Sequence, residues 1–228
     1  MLRKTVERFR IAKEESRLRK TFRKYREFTM VPEDIYTANL RLASRVKSIP
    51  GAIVECGTWR GGMIAGLADV LGSKRRYFLF DSYEGLPPAK QVDGEVALAW
   101  QKNTKSAAYY DNCRASEDEA RSAMSMSAAS DYTIVKGWFE NTLPKTDVGP
   151  VALLRMDADW YDSTKQILDN LAGRVVPGGV IIVDDYYAYE GCTLAVNEHA
   201  AKQKWMIRQY SPGGVCYIVV SKGNEGPI

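Results

Sequence analysis

The sequence predicts an α/β fold: a mostly parallel seven-stranded sheet with helices on both faces and a C-terminal antiparallel hairpin. Three observations predict it. From Ala52 onward, short apolar runs alternate with helical stretches. Several of the runs are apolar at every position, as strands covered on both faces must be. The last two runs flank Pro212-Gly213-Gly214, which reads as a hairpin turn.

Residues 3–28 carry Val6, Phe9, Ile11, Leu18, Phe22 and Tyr25 among dense charge, and predict a highly charged helix. Pro32 opens a second helix, with Glu33 and Asp34 in its first turn, running to about Ser48 and stopped by Pro50-Gly51. Ala52–Cys56 is a buried strand, followed by a glycine-rich turn and a helix to Leu71. Tyr77–Asp81 is the second strand. Ser82–Lys105 is long, holds Pro87-Pro88 and has few strand signals. A loop of that length inside a compact domain is usually functional. Ser116–Ser127 is helical, with Glu117, Asp118 and Glu119 at its start. Tyr132–Lys136 and Val151–Met156 are strands three and four. Ser163–Val175 is a helix ended by Pro177-Gly178-Gly179. Val180–Asp184 is strand five and Cys192–Gln203 a helix. Trp205–Tyr210 and Val215–Val220 form the hairpin.

Length and composition bound the function. At 228 residues, one domain with appendages is the default. No apolar run reaches the roughly 18 residues of a membrane span, and no apolar stretch follows the basic N-terminus, so a cytoplasmic protein is expected. Cys56, Cys113, Cys192 and Cys216 form no Cys-x-x-Cys pair, which argues against a zinc knuckle or redox motif. A Ser-His-Asp or His-rich zinc site would rest on the single histidine, His199, which falls in a helical stretch and reads as structural. Residues 1–28 hold eleven Lys/Arg and four Glu, a net +7, which leaves −3 for the rest of the +4 total. The basic surplus belongs to an N-terminal helical appendage. It reads as a solvated helix packing on the domain or a second subunit, in preference to a nucleic-acid or anionic-membrane binder.

In such sheets ligands bind beyond the C-terminal strand ends, at the switch in strand order. After strand one comes Glu55-Cys56-Gly57-Thr58-Trp59-Arg60-Gly61-Gly62. Its glycines allow a tight turn and close approach of a ligand. It is not G-x-G-x-x-G, which disfavours a dinucleotide. Glu55 would repel a phosphate but suits a cationic cofactor, which points to S-adenosylmethionine and away from NAD. Asp81-Ser82 after strand two suits a grip on ribose hydroxyls. Asp157 after strand four, with Asp184 and Asp185 after strand five, would converge if those strands are neighbours. Three such carboxylates repel one another unless neutralised. A hard divalent cation does so, and oxygen donors favour Mg²⁺, Mn²⁺ or Ca²⁺ over zinc. A metal beside a methyl donor can acidify a substrate hydroxyl. Asp159 is the candidate base, with His199 a lesser rival. Asp162 is expected to cap the helix that follows.

These phrases, in this order, resemble the macrocin-type (TylF-like) sugar O-methyltransferases. The resemblance runs from about Phe28 to Val220. It is carried by Thr29-Met30-Val31, Val54 to Gly62, Asp81-Ser82-Tyr83-Glu84-Gly85-Leu86-Pro87-Pro88, Gly137-Trp138-Phe139 with Thr142-Leu143-Pro144, Leu154 to Thr164, and Pro177-Gly178-Gly179 leading to Asp184-Asp185-Tyr186 and Gly191-Cys192. It implies a Rossmann-like class I methyltransferase domain over residues 29–228 and a small-molecule substrate, a sugar hydroxyl. It implies Mg²⁺ on Asp157, Asp184 and Asp185, and a base at Asp159. Cofactor contacts are implied at Glu55, Gly57 and Asp81, with Thr29, Met30 and Trp138 as further ones. Trp59, Gly61, Gly62, Ser82, Gly137 and Asp157 complete the expected cofactor set. A homodimer is the family expectation. Where the family has Leu-Asp-Gly-Asp-Leu-Tyr-Glu, this chain has Met156-Asp157-Ala158-Asp159-Trp160-Tyr161-Asp162. The stretch from Pro88 to Asp131 matches poorly and is expected to build the acceptor pocket. The competing readings are a catechol-like phenol or amine as acceptor, an NAD oxidoreductase, and a non-enzymatic binding module.

Overall fold

The computed structural model describes residues 2–221, with side chains described from residue 9; the side chains of Val6 and Glu7 lie outside that range. The seven strands are β1 (Ala52–Cys56), β2 (Arg76–Asp81), β3 (Asp131–Lys136), β4 (Val151–Met156), β5 (Val175–Val183), β6 (Ile207–Tyr210) and β7 (Val215–Val219). They lie in the order β3-β2-β1-β4-β5-β7-β6. Strands β1 to β5 pair in parallel, while β7 runs antiparallel between β5 and β6. The expected fold class is therefore present, hairpin included. Chain order reverses between β1 and β4, which puts the ligand crevice at their C-terminal ends.

The larger helices are α1 (Leu2–Tyr25), α2 (Glu33–Ser44), α3 (Gly62–Leu71), α4 (Gly94–Lys102), α5 (Glu117–Ser125), α6 (Tyr161–Leu171) and α7 (Glu190–Gln203). One face of the sheet presents Ile53, Leu79, Leu153 and Ile182, packed under Leu18, Tyr36, Leu40, Ile64 and Ala120 from α1, α2, α3 and α5. The other presents Val54, Phe80, Leu154 and Ile181, packed under Ile167, Leu168 and Val196 from α6 and α7. The period-2 alternation of side chains sorts each strand between the two layers.

Three expectations of local structure need correction. The stretch from Ser82 to Lys105 contains α4, whose short apolar face buries Ala97. β5 starts at Val175 and continues through Pro177-Gly178-Gly179, where its pairing with β4 shifts register between Val151 and Leu153. The prolyl nitrogen cannot donate, and Gly178 takes φ 84°, so the signal marks a bulge rather than a stop. Asp162 lies in the first turn of α6 and pairs with Lys90 Nζ at 2.5 Å; the N-cap position is Trp160, with no side-chain cap.

The basic helix α1 is tied to this core. Leu18 and Tyr25 are fully buried, and Tyr25 Oη donates to Asp69 Oδ2 of α3 at 3.0 Å. Arg19 pairs with Glu33 at 2.9 Å, and Arg41 with Glu15. Phe9 and Ile11, nearer the N-terminus, are exposed. Truncating a buried leucine typically costs about 2–5 kcal/mol. Leu18→Ala is therefore expected to lower the urea midpoint by a stability loss of about 2–5 kcal/mol, whereas Ile11→Ala leaves it unchanged. Equal midpoints for the two variants would detach α1 from the fold.

Candidate active site

A cavity of about 890 Å³ opens at the C-terminal strand ends. Its wall includes Met30, Gly57, Trp59, Asp81, Ser82, Gly137, Trp138, Asp157 and Asp159, all singled out from sequence. The turn after β1 brings backbones into near contact: a Cβ on Gly57, at φ 80°, would lie 1.6 Å from the Asp157 carbonyl oxygen. Only glycine fits there.

Asp81 shapes this turn. Its Oδ2 accepts from the backbone N–H groups of Thr58 and Trp59, both at 2.8 Å, and its Oδ1 from Tyr83 N–H at 2.7 Å. Burial still raises its pKa against those three donors. Ser82 Oγ donates to Gly85 O at 2.9 Å and fixes the next turn.

Four expected cofactor contacts are not in the cavity wall, and of the three expected metal ligands only Asp157 is; Asp184 and Asp185 lie behind it. Thr29 Oγ1 accepts from Val31 N–H at 3.1 Å in a local turn. Gly61 and Gly62 serve packing: a Cβ on Gly62 would meet Phe28 O at 2.5 Å, and one on Gly61 the Ala120 Cα at 3.0 Å. Glu55 is fully buried, with Nη1 of Arg155 at 2.9 Å from its Oε1 and no hydrogen-bond partner on its Oε2. It lies on the same sheet face as Asp157, level with Arg155 and two residues short of the strand ends that line the cavity.

The aspartates converge as the strand order requires. Asp157, Asp184 and Asp185 each offer an oxygen within 4.8 Å of the others. The unexpected member is Arg155, only 1% exposed. Its Nη1 donates to Glu55 and to Asp157 Oδ2, each at 2.9 Å, its Nη2 to Asp184 Oδ1 at 2.5 Å, and its Nε to Asn39 Oδ1 at 3.2 Å. Burial opposes its charge, but Asp184, Asp157 and Glu55 outweigh burial and hold it protonated. The sequence signal was a lone base in the apolar strand Val151–Met156 beside a lone acid in Ala52–Cys56. The register pairs the two directly.

One guanidinium does not neutralise this cluster. Asp185 Oδ2 accepts from the N–H groups of Ala158 (3.1 Å) and Asp159 (3.0 Å), yet burial and the charges of Asp159 and Asp157 raise its pKa well above the usual range. Asp159, at φ 56°, is likewise raised by burial and then by Asp157 and Asp184. Burial and Asp184 push Asp157 to about 6 despite Arg155. Glu55 is pushed up to about 8, burial outweighing the arginine. The set is a half-buried, oxygen-only arrangement with surplus negative charge, which fits a hard divalent cation. His199 lies elsewhere, its ring 5.7 Å from that of Trp205.

A lid from Leu86 to Cys113, where the sequence predicts a long loop and an acceptor pocket, lines the cavity through Leu86 to Lys90, Asp93 and Cys113. Asp93, 2% exposed, accepts from Tyr161 N–H and Lys90 N–H, both at 2.7 Å. Trp160 Nε1 donates to Pro87 O at 2.9 Å, and Asn112 Nδ2 to Leu86 O at 2.7 Å. Tyr110 to Cys113 all have positive φ, 49–58°.

Comparisons with known proteins agree with this architecture. Residues 12–208 match the family model described as Macrocin-O-methyltransferase (TylF). The chain is 34% identical over 169 residues to 8-demethyl-8-(2,3-dimethoxy-alpha-L-rhamnosyl)-tetracenomycin-C 4'-O-methyltransferase of Streptomyces olivaceus, covering 68% of this chain and 59% of that one. It is 34% identical over 163 residues to demethyldecarbamoylnovobiocin O-methyltransferase of Streptomyces niveus, covering 68% and 60%. The match thus spans about three-fifths of the length of these curated relatives. Among solved structures, the O-methyltransferase NovP superposes with a TM-score of 0.72 at 27% identity, covering 86% of this chain and 83% of that one.

The raised carboxyl pKa values set a pH dependence. A carboxyl that is harder to ionise when folded adds stability below its unfolded pKa, about 4, and loses it as the pH rises through its folded pKa. With Asp157 at about 6 and Glu55 at about 8, that loss spans pH 4 to 8. In chelator, Tm is expected to fall between pH 5 and 8 more steeply in the wild type than in Asp157→Asn/Asp185→Asn. Equal slopes in a thermal scan would refute the burial of this charge.

Proposed function

Because the chain belongs to the macrocin O-methyltransferase (TylF) family, we propose that it transfers a methyl group from S-adenosylmethionine to a sugar hydroxyl, with Mg²⁺ held by Asp157, Asp184 and Asp185. The observation that carries this reading is the convergence of those three carboxylates within 4.8 Å beside Asp159. When bound, S-adenosylmethionine supplies an electrophilic methyl and the cation acidifies the acceptor hydroxyl.

The chain's own residues do the rest. Asp159, half-buried in the cavity wall with a raised pKa, takes the acceptor proton as general base. Asp81 holds the turn at Thr58 and Trp59 and keeps lone pairs for ribose hydroxyls. Trp59 and Trp138 supply flat apolar walls, and Gly57 admits the cofactor close to the backbone.

The wall favours an acceptor without phosphate. It carries seven acids (Asp81, Glu84, Asp93, Glu140, Asp157, Asp159 and Asp162), and its one base among the described residues is Lys90, already paired with Asp162. A nucleotide diphosphate would meet net repulsion there, whereas an uncharged glycoside meets hydroxyl-binding acids and aromatic faces. No helix among the described residues is long and apolar enough to cross a membrane. A cytoplasmic homodimer completes the reading.

The test is methyl transfer from labelled donor to a panel of glycosides, phenols and amines. Turnover on a glycoside is expected, abolished by EDTA and restored by Mg²⁺. Asp157→Ala is expected to lose activity by orders of magnitude. Asp159→Asn should lower kcat about 10²–10⁴-fold while S-adenosylhomocysteine binds as before. Undiminished turnover after exhaustive chelation would end the metal reading; transfer to phenols or amines alone would end the sugar reading.

A further inference from the structure

We propose that Arg155 is a positioning residue for the cation site: its guanidinium holds the Asp157 and Asp184 carboxylates in the paired arrangement that one divalent ion needs. This role rests on the reading of those aspartates as metal ligands.

The placement follows from the sheet. Arg155 lies opposite Glu55 on β1 and Ile182 on β5. Asp157 is two residues further along the same face, and Asp184 two residues beyond Ile182. One planar group at the centre therefore reaches three neighbouring strands. It takes a single oxygen from each aspartate, Oδ2 of Asp157 at 2.9 Å and Oδ1 of Asp184 at 2.5 Å, and leaves the other oxygen of each. Its own orientation is fixed from two more sides, by Glu55 Oε1 on β1 and Asn39 Oδ1 on α2. Asn39 is fully buried and is itself held, its Nδ2 donating to Ile35 O at 2.9 Å.

Two effects of the arginine oppose each other. Its positive charge repels a cation nearby. Its fork also keeps two mutually repelling carboxylates from splaying apart. Partners that orient metal ligands are typically worth about 10–100-fold in affinity. The guanidinium charge is already shared among three acids, which weakens its repulsion of the cation. Orientation is therefore the larger effect. Lysine in its place keeps the charge but offers a compact ammonium that cannot bridge both strand ends.

The experiment is Mn²⁺ binding, read by the electron paramagnetic resonance of free Mn²⁺, on the wild type, Arg155→Lys and Asn39→Ala. Circular dichroism and Tm serve as folding controls. Arg155→Lys is expected to bind Mn²⁺ at least about 10-fold more weakly at a temperature where it is folded. Asn39→Ala, which removes the acceptor of Arg155 Nε together with a buried hydrogen bond to Ile35 O, is expected to weaken binding in the same direction by a smaller factor. Mn²⁺ affinity within twofold of wild type in both variants, or tighter binding in Arg155→Lys, would overturn the positioning role alone. A wild-type chain that binds no Mn²⁺ would overturn the metal reading and this role with it.

Discussion

The fold is organised around a buried charge imbalance. Arg155 is enclosed by Glu55, Asp157 and Asp184, with Asp159 and Asp185 close behind. Removing such charges from water costs several kcal/mol each, returned only when every partner is well placed. Here the partners come from β1, β4 and β5, so the order of the central strands and the electrostatics of the site are one constraint. A purely stabilising network would balance its charges. This one keeps an excess of carboxylate beside a cavity whose wall includes Asp157 and Asp159, and that excess is what a structural ion pair would lack.

The same junction concentrates backbone strain. Trp59, Tyr83 and Asp159 have φ between 47° and 56°. All three flank the point where Gly57 approaches the Asp157 carbonyl. Non-glycine residues in this region cost of order 1–3 kcal/mol each. They persist because their surroundings fix them: Asp81 binds the N–H groups of Trp59 and Tyr83, and Asp185 that of Asp159. Asp81 in the cavity wall and buried Asp185 behind it thus both act on backbone as well as in the site. This explains why residues read from sequence as ligand contacts also prove to be turn-forming residues.

Much of this was legible in the chain because it depends on periodicity. Continuous apolar runs located the parallel strands, and acids immediately after runs four and five located the convergent carboxylates, since a parallel sheet brings those ends together. What was not legible depends on depth along a strand and on which neighbour a side chain meets. Glu55 stands one residue before the end of its strand and pairs with Leu79, two residues before Asp81, so it shares the face of Asp81 and Asp157 but lies one layer beneath the cavity. Arg155 stood in plain view inside an apolar strand, and only the register with Glu55 reveals its partner. Gly61 and Gly62 look like ligand glycines until Phe28 and Ala120 are found against them. α4 was missed because nine residues between Pro87-Pro88 and Asn103 give a weak helical signal.

The lid obeys a different economy from the sheet. It is fastened by hydrogen bonds to backbone: Trp160 to Pro87, Asn112 to Leu86, and Asp93 to the first turn of α6. Its apolar residues Val92 and Val96 stay partly or largely exposed, at 36% and 63%, so it contributes little to the core. Hydrogen bonds to backbone constrain the shape of a segment while leaving most of its side chains free. The exposed side chains between Pro88 and Cys113 can therefore vary without disturbing strand order or the carboxylate cluster, whereas Ala120, Ala123 and Met124 of α5 belong to the core. Chemistry that needs fixed geometry sits on strand ends locked by the core. On the function proposed above, recognition of an acceptor falls to the segment from Leu86 to Cys113.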